Sequence, residues 1–285
     1  MTHICTSVAI IGAGPYGLSI ATQLESRGLD YRIVGKPMRA WMQMPNGMLL
    51  KSDGFAPNLH EPTGRFTLKR FCAHLGEPYA DIGKPVRLET FVSYGLAFQK
   101  QFVPNVINTH VVGLQYTPAG FDLQLENREK IHARAVIVAV GLSYYQFIPA
   151  ALTGLPKAFL SHSSDCDKFA RCVDGEVIII GGGSSAIDLA VLLQESNVPV
   201  RLVARRQALE FHSEMKLPRP LWDRIRRPLS GVGPGWRSRI YCDAPDLFYH
   251  LPEWQRLKIA GSFFRPGRRL VHEGPNGCGA STSWK

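Results

Sequence analysis

Two glycine-rich segments of the chain have the residue types and the spacing that bind a pyrophosphate. The first is Gly12–Gly17, with the sequence G-A-G-P-Y-G, and the second is Gly181–Ala186, with the sequence G-G-G-S-S-A. In such a pattern the first glycine permits a tight turn, the second lets the backbone approach the phosphates, and the third position lets a helix pack closely on a strand. The N-terminus of that helix then offers N–H groups to the anion.

Both segments lie between elements that would position them for this role. An apolar strand precedes each segment, a helix with apolar residues at helical spacing follows it, and a second apolar strand follows the helix. The predicted strands and helices are Val8–Ile11, Leu18–Arg27 and Tyr31–Val34 for the first unit, and Val177–Ile180, Ile187–Glu195 and Val200–Val203 for the second. We therefore predict an α/β fold with two Rossmann-like dinucleotide-binding domains.

The end of the second strand distinguishes the two predicted units. An acidic residue that binds a ribose hydroxyl is expected there, but the first unit has Gly35 and Lys36 and the second has Arg205 and Arg206. Lys36 is either a ribose or phosphate contact or a solvated lysine. An arginine after the second strand suits the 2′-phosphate of NADPH, because its guanidinium binds phosphate bidentately, although both arginines could also lie in a solvated loop.

Two dinucleotide motifs in one chain indicate a flavin on the first motif and a nicotinamide on the second, so FAD and NADPH are the predicted cofactors. The predicted binding positions in the motifs and after their strands are Gly12, Gly14, Pro15, Tyr16, Gly17, Lys36, Gly181, Gly183, Ser184, Ser185, Arg205 and Arg206. The apolar run Ala135–Gly141 between the motifs predicts a strand that closes the first domain, with Gly141 at its end. No catalytic acid or base and no metal-ligand cluster is predicted.

The chain resembles flavoproteins with two dinucleotide-binding domains, and among them the flavin-containing monooxygenases and the lysine/ornithine N-hydroxylases. The two glycine motifs, the Ala139–Gly141 strand end and His162-Ser163 carry this resemblance, over roughly residues 5–215. It implies FAD on the first motif, NADPH on the second, and a second domain inserted in the sequence of the first.

The resemblance also assigns a role to the Met-rich segment Trp41–Asp53. In the N-hydroxylases a similar segment lies beside flavin and substrate, which implies that Trp41, Leu50, Lys51 and Ser52 lie near the isoalloxazine ring. The alternative is a surface loop whose apolar residues fill the core.

The family signature that precedes the second motif is mostly absent here. Of the pattern F-x-G-x-x-x-H-x-x-x-F/W only His162 matches, with Pro156, Ala158 and Cys166 at the other positions. His162 is thus either a contact on the nicotinamide side or a structural histidine.

The activity that the resemblance implies is an NADPH-dependent monooxygenase acting on a small molecule. Reduced flavin would form a C4a-hydroperoxide, whose distal oxygen an amine nitrogen or another soft nucleophile attacks. A flavin-dependent oxidoreductase without oxygen insertion and an inactive truncated homologue are the alternatives. A disulfide reductase is disfavoured, because Cys166 and Cys172 lack the usual spacing and position of a redox pair.

The segment that normally completes the FAD domain in this family is expected to carry a Gly-Asp pair, and none occurs. We predict an FAD-binding domain at 1–150, an NADPH-binding domain at 151–264 and an irregular tail at 265–285, and the pattern favours a C-terminally truncated member of the family.

The net charge of +10 is concentrated in the last part of the chain. Residues 1–200 carry 17 basic and 16 acidic side chains, and residues 201–285 carry 16 and 7. The basic part has no helix-turn-helix or zinc pattern, so specific nucleic-acid binding is not predicted.

No apolar run is long enough to span a bilayer, and scattered single cysteines suit a cytoplasmic location. The oligomeric state is left open.

Overall fold

The computed structural model describes residues 3–165, 175–205, 209 and 218–263. The chain divides into two compact units. Unit 1 comprises Met1–Gly175 and Gly231–Gly233, and unit 2 comprises Glu176–Ser230 and Pro234–Lys285. The predicted boundary at residue 150 and the insertion of one domain in the other stay predictions.

Unit 1 is built on a five-stranded mixed sheet with the strand order β2-β1-β5-β4-β3. The central strand β1 pairs in parallel with β2 and β5, whereas β3, β4 and β5 pair antiparallel. The strands are β1 His3–Ile11, β2 Tyr31–Val34, β3 Val111–Thr117, β4 Gly120–Leu125 and β5 Lys130–Val138. The mixed sheet confirms the α/β class.

Four α-helices and a short 3₁₀ helix accompany this sheet in the described part of unit 1. They are α1 Pro15–Ser26, α2 Arg39–Met42, α3 Leu68–Leu75, α4 Leu88–Phe102 and the 3₁₀ helix Ala150–Leu152. Helix α4 buries Phe91, Tyr94 and Phe98, which are spaced at three and four residues and so share one helix face. Tyr94 stacks on Phe66 with ring centroids 5.5 Å apart, so this aromatic cluster anchors the segment that precedes α3.

The register of the parallel strands brings three strand ends together. Ile11, the last residue of β1, pairs with Val34 at the end of β2 and with Val138 at the end of β5. The first glycine motif follows Ile11 directly, so it lies at the carboxyl edge of the sheet. This is the edge where α/β folds of this type bind their ligands.

Unit 2 contains a two-stranded parallel sheet and five α-helices in its described part. Strands β6 Val177–Ile180 and β7 Val200–Val203 are connected by α5 Ser184–Glu195. The helices α6 Leu221–Arg226, α7 Trp236–Asp243, α8 Pro245–Tyr249 and α9 Glu253–Phe263 follow. Helix α9 begins directly after Pro252. No described helix is long and apolar enough to cross a membrane.

Candidate functional site

The first glycine of the first motif is fixed by the backbone on both sides. Gly12 has φ +115, a conformation that favours glycine, and its N–H donates to the carbonyl of Val34 at 2.8 Å. A Cβ at Gly12 would collide with the carbonyl group of Ala139, which follows β5. The tight turn predicted at this position is therefore held between the ends of β2 and β5.

The second and third glycines have opposite surroundings. Gly14 caps α1 with ordinary extended geometry at φ −83, and no heavy atom lies within 4 Å of the position of a Cβ. At Gly17 a Cβ would collide with the carbonyl oxygen of Gly12, so this glycine allows α1 to pack on the turn. The space above Gly14 is therefore open to a ligand, whereas the space at Gly17 is filled by the protein.

The N-terminus of α1 is suited to an anion. No side chain caps it, Pro15 stands in its first turn, and no acidic residue lies in that turn. The first N–H groups of a helix have no partner within the helix, so those of Tyr16 and Gly17 are available to a phosphate.

A cavity of about 380 Å³ lies beside this helix end. Its walls come from α1, from the last residue of β5 and from the segment that follows it: Tyr16, Ile20, Val138, Ala139, Val140, Gly141 and Tyr145. The Tyr16 side chain is 81% exposed, so its ring is free to contact a bound molecule. The structure thus brings together Gly12, Gly14, Tyr16 and Gly141 of the predicted site.

The Met-rich segment divides between core and surface. Leu50 is only 7% exposed, belongs to the core of unit 1, and donates its backbone N–H to Val86 at 2.8 Å. Trp41 is partly buried and packs edge-on against Phe91, with centroids 4.7 Å apart. Lys51 is exposed and Ser52 partly exposed. The core alternative accounts for the side chains of Trp41 and Leu50, and their place beside a flavin stays a prediction.

His162 lies in a turn with its own hydrogen bonds. The Ser164 backbone N–H donates to Nδ1 at 3.2 Å, and the Ser164 hydroxyl lies 2.8 Å from the same nitrogen. Because Nδ1 accepts, the ring proton lies on Nε2. Gln146 donates to the Ser164 hydroxyl at 2.7 Å and so ties this turn to the segment after β5. The local network supports the structural interpretation of His162 without testing a role at the nicotinamide.

The second motif repeats the backbone pattern of the first in unit 2. Gly181 has φ +143 and donates its N–H to Val203 at 2.8 Å, and Gly183 caps α5 with φ −89 and open space at its Cβ position. Ser184 begins α5, and Ser185 is exposed. Arg205, two residues beyond β7, is exposed. Arg206, Cys166, Cys172 and the predicted tail 265–285 lie outside the described residues.

Three features of unit 1 were not predicted. Arg39 Nη1 lies 2.8 Å from His110 Nε2 just beyond the end of β2. Tyr145 lines the cavity. Glu61 is buried and accepts hydrogen bonds from the Thr63 and Phe66 backbone at 2.6 and 3.0 Å. A basic residue five positions after the end of β2 was a usable sequence signal for Arg39. No sequence motif marked Glu61. Its donors are backbone N–H groups two to five positions later, which reach the carboxylate only when the loop folds back on itself.

Comparison with known proteins gives one family. A family model described as "Pyridine nucleotide-disulphide oxidoreductase" matches residues 9–218. The chain is 27% identical over 199 residues to an "Uncharacterized oxidoreductase CzcO-like" of Geobacillus kaustophilus, covering 68% of this chain and 53% of that protein. It is 30% identical over 210 residues to a "Ferredoxin--NADP reductase" of Gluconacetobacter diazotrophicus, covering 71% and 53%. The chain spans about half the length of these curated relatives.

Solved structures share the fold. "Ornithine Hydroxylase (PvdA)" from Pseudomonas aeruginosa matches with a TM-score of 0.66 and 16% identity over 91% of this chain and 65% of that one. A mutant flavin monooxygenase from Stenotrophomonas maltophilia matches with a TM-score of 0.57 and 23% identity over 74% and 60%. "Bacillithiol Disulfide Reductase Bdr (YpdA)" from Staphylococcus aureus matches with a TM-score of 0.55 and 20% identity over 77% and 61%. At these identities the likeness concerns the fold alone.

Proposed function

The chain belongs to the pyridine nucleotide-disulphide oxidoreductase family, and we propose that it is an oxidoreductase that binds FAD at the first glycine motif and NADPH at the second. The observation that carries the proposal is the cradle at the carboxyl edge of the unit 1 sheet. There Gly12 makes the turn, Gly14 leaves space for a ligand, and the uncapped N-terminus of α1 faces that space.

The residues of unit 1 fit an FAD pyrophosphate. The Tyr16 and Gly17 N–H groups would donate to its oxygens, and the missing Cβ of Gly14 would let the phosphates approach the backbone. The cavity between Tyr16 and the Val138–Gly141 segment supplies apolar walls and an exposed aromatic ring beside the phosphate position. Bound FAD supplies the redox chemistry, since it accepts a hydride and passes electrons to oxygen or to another acceptor.

The residues of unit 2 fit the phosphates of NADPH in the same way. Gly183 leaves the same space at the N-terminus of α5, and that helix also has no side-chain cap and no acidic residue in its first turn. Ser184 and Ser185 would add hydroxyl donors at this end. Arg205 would bind the 2′-phosphate that distinguishes NADPH from NADH, with Arg206 beside it in sequence.

The finer proposal is a monooxygenase that hydroxylates an amine nitrogen or oxidises another soft nucleophile. It is supported by the fold shared with an ornithine hydroxylase and a flavin monooxygenase, and by the resemblance of the Trp41–Asp53 segment to the N-hydroxylases. Exposed Lys51 and partly exposed Ser52 would hold a substrate carboxylate at the surface of this segment, while Trp41 and Leu50 fix the segment to the core.

A specific observation favours a second candidate. Curated relatives at 26–30% identity are named as ferredoxin–NADP reductases, which points to electron transfer without oxygen insertion. The two candidates share both cofactor sites and differ only in the acceptor of the electrons.

Cofactor binding at the first motif can be tested with one pair of glycine variants. Gly14→Ala is expected to leave the stability of the fold unchanged, because its φ suits alanine and its Cβ position is open. FAD affinity, measured by titration of flavin fluorescence, should fall by about tenfold or more, since the methyl group occupies the phosphate position. Gly154→Ala, at an exposed glycine whose Cβ position likewise has no neighbour within 4 Å, is the matched control and should bind FAD normally. Equal FAD affinity for both variants, or no FAD binding by the parent protein, would refute this site.

The electron acceptor is tested in two assays, both supplied with NADPH and FAD. One contains a panel of primary amines. The other contains ferredoxin together with cytochrome c, which takes electrons from reduced ferredoxin and reports its reduction. Hydroxylated amine in stoichiometric relation to NADPH oxidised would support the monooxygenase. NADPH oxidation that yields only hydrogen peroxide with every amine, together with rapid ferredoxin reduction, would support the reductase instead.

A further inference from the structure

The ribose end of the first dinucleotide site has no room for the usual carboxylate. Gly35, at the position where an acid is expected after β2, is buried and has φ +153. A Cβ there would lie 2.8 Å from the Ala13 backbone nitrogen and 3.2 Å from the Gly12 backbone. The backbone of Gly35 is also fixed by donation to the Ile107 carbonyl at 3.0 Å. The glycine loop itself therefore excludes an acidic side chain at this position.

Two cations take the place of the missing acid. Lys36 follows Gly35 directly, Arg39 begins α2, and both are exposed. The ion pairs found in the described part of the chain include neither of them. Arg39 donates one N–H to His110 at 2.8 Å, and its guanidinium keeps further donors for a ligand.

These cations are held beside the phosphate loop by backbone contacts. The N–H of Met38 donates to the Ala13 carbonyl at 3.1 Å, and that of Arg39 donates to the Lys36 carbonyl at 3.3 Å. Met38 adopts φ 53 and is fully buried, so its side chain anchors the turn in the core. The turn Lys36–Arg39 is thus attached to the loop that would bind the pyrophosphate, at the end where a dinucleotide places its adenosine ribose.

We propose that this ribose end accepts a 2′-phosphate, so that 2′-phosphoadenosine nucleotides compete with FAD for the first motif. The inference rests on the proposed binding of FAD at that motif. An acid after the second strand hydrogen-bonds a ribose 2′-hydroxyl and repels a 2′-phosphate, whereas a nearby cation accommodates the phosphate. With Gly35 in the acid position and Lys36 and Arg39 beside it, the repulsion is absent and an attraction is present.

Displacement of FAD by small adenosine phosphates tests the proposal. The protein is loaded with FAD, and the recovery of flavin fluorescence is followed as 2′,5′-ADP, 3′,5′-ADP or 5′-AMP is added. We expect 2′,5′-ADP to displace FAD at about tenfold lower concentration than 5′-AMP. The isomer 3′,5′-ADP has the same charge, so a preference for 2′,5′-ADP over it reports the position of the phosphate rather than general attraction to a basic protein.

Variants locate the effect on the chain. Lys36→Ala and Arg39→Ala are expected to reduce the preference for 2′,5′-ADP severalfold each. Lys130→Ala is the matched control and should keep the full preference. Lys130 is an exposed cation at the first residue of β5, whereas the glycine motif lies beside the last residue of that strand. Arg205→Ala should also keep it, since displacement of FAD reports the first motif and Arg205 serves the second.

The possible outcomes distinguish a failure of the 2′-phosphate inference from a failure of the proposed FAD binding. FAD that binds but is displaced equally by all three nucleotides would overturn the inference and leave the proposed function standing. Preference that survives Lys36→Ala and Arg39→Ala but disappears in Arg205→Ala would also overturn it. Failure of the parent protein to bind FAD would overturn the proposed function and this inference together.

Discussion

Replacing Glu61 with glutamine is expected to destabilise unit 1 in a pH-dependent way. The carboxylate is only 1% exposed and is surrounded by donors rather than cations. The Thr63 N–H and hydroxyl donate to Oε2 at 2.6 and 2.7 Å, and the Phe66 N–H donates to Oε1 at 3.0 Å, with the Arg65 N–H on the same oxygen. This loop is joined to α4, because the Tyr94 hydroxyl donates to the Phe66 carbonyl at 2.8 Å.

The magnitude follows from the pKa of the Glu61 carboxyl. Burial by itself raises that pKa, but the hydrogen bonds from Thr63, Phe66 and Arg65 outweigh it and lower the pKa from 4.5 to about 2. A difference of this size between the unfolded and folded chain corresponds to about 3 kcal/mol of stability. Because the folded pKa is lowered, the stabilisation is complete above the unfolded pKa and is lost as the pH falls toward the folded pKa. About 2 kcal/mol of it remains at pH 3.5.

Urea denaturation of the parent chain and of Glu61→Gln at pH 7 and pH 3.5 measures this contribution. The variant should lose about 3 kcal/mol at pH 7 and about 2 kcal/mol at pH 3.5, since glutamine does not titrate. Glu126→Gln, an exposed carboxyl, is the control and should change stability by less than about 0.5 kcal/mol. An equal loss for Glu61→Gln at the two pH values would refute the assignment of a charged, hydrogen-bonded carboxylate.

Three further changes have definite expectations. Leu50→Ala removes a buried side chain of the unit 1 core and should lower the free energy of unfolding by about 2–5 kcal/mol in urea denaturation; a loss under about 1 kcal/mol would contradict its core position. Gly95→Ala brings a methyl group to 2.5 Å from the Met38 side chain and should cost about 1–3 kcal/mol, less when Met38→Ala is present in the same chain. Asp122→Asn should return the pKa of His132 toward 6.5 in an NMR titration, because the hydrogen bond that His132 Nδ1 donates to the Asp122 carboxylate raises it. Since that pKa is raised in the folded chain, the pair stabilises the fold below about pH 6.5 and loses this effect as the pH rises through the raised value. An unchanged His132 titration would contradict the pairing.

The sequence predicted both βαβ units because their determinants are local. Strands β2, β6 and β7 begin and end where the apolar runs do, and α5 extends the predicted helix by one turn toward Gly183. Helix α4 also has a local sequence pattern, because its apolar residues recur every three and four positions as in an amphipathic helix, but this helix was not predicted. The antiparallel strands β3 and β4 were also missed, although β3 pairs with β4 and β4 with β5 across short turns, so this local pattern was open to prediction as well.

The candidate site was predictable in its backbone and less so in its side chains. A glycine motif specifies turn, helix and strand within a few residues, so Gly12, Gly14 and Gly17 have the surroundings that their spacing predicts. In the Met-rich segment, by contrast, neighbouring positions differ completely: Leu50 is buried and Lys51 is exposed. The resemblance points to this segment but does not predict which of its side chains are buried. Burial depends on how the segment packs against Val86 and α4.

The chain departs from the dinucleotide-binding motif at the end of β2, where Gly35 stands in place of an acid, and the neighbouring residues explain this departure. Gly35→Glu would not restore ribose recognition, because any Cβ at φ +153 presses on the Ala13 nitrogen and disturbs the pyrophosphate loop. Lys36→Glu is the cleaner reversal, since Lys36 is exposed and the substitution leaves the loop backbone unchanged. We expect FAD to bind this variant normally, while the preference for 2′,5′-ADP over 5′-AMP in the displacement assay falls to one or below, because the new carboxylate repels a 2′-phosphate. An undiminished preference in Lys36→Glu would mean that the phosphate is not recognised beside β2.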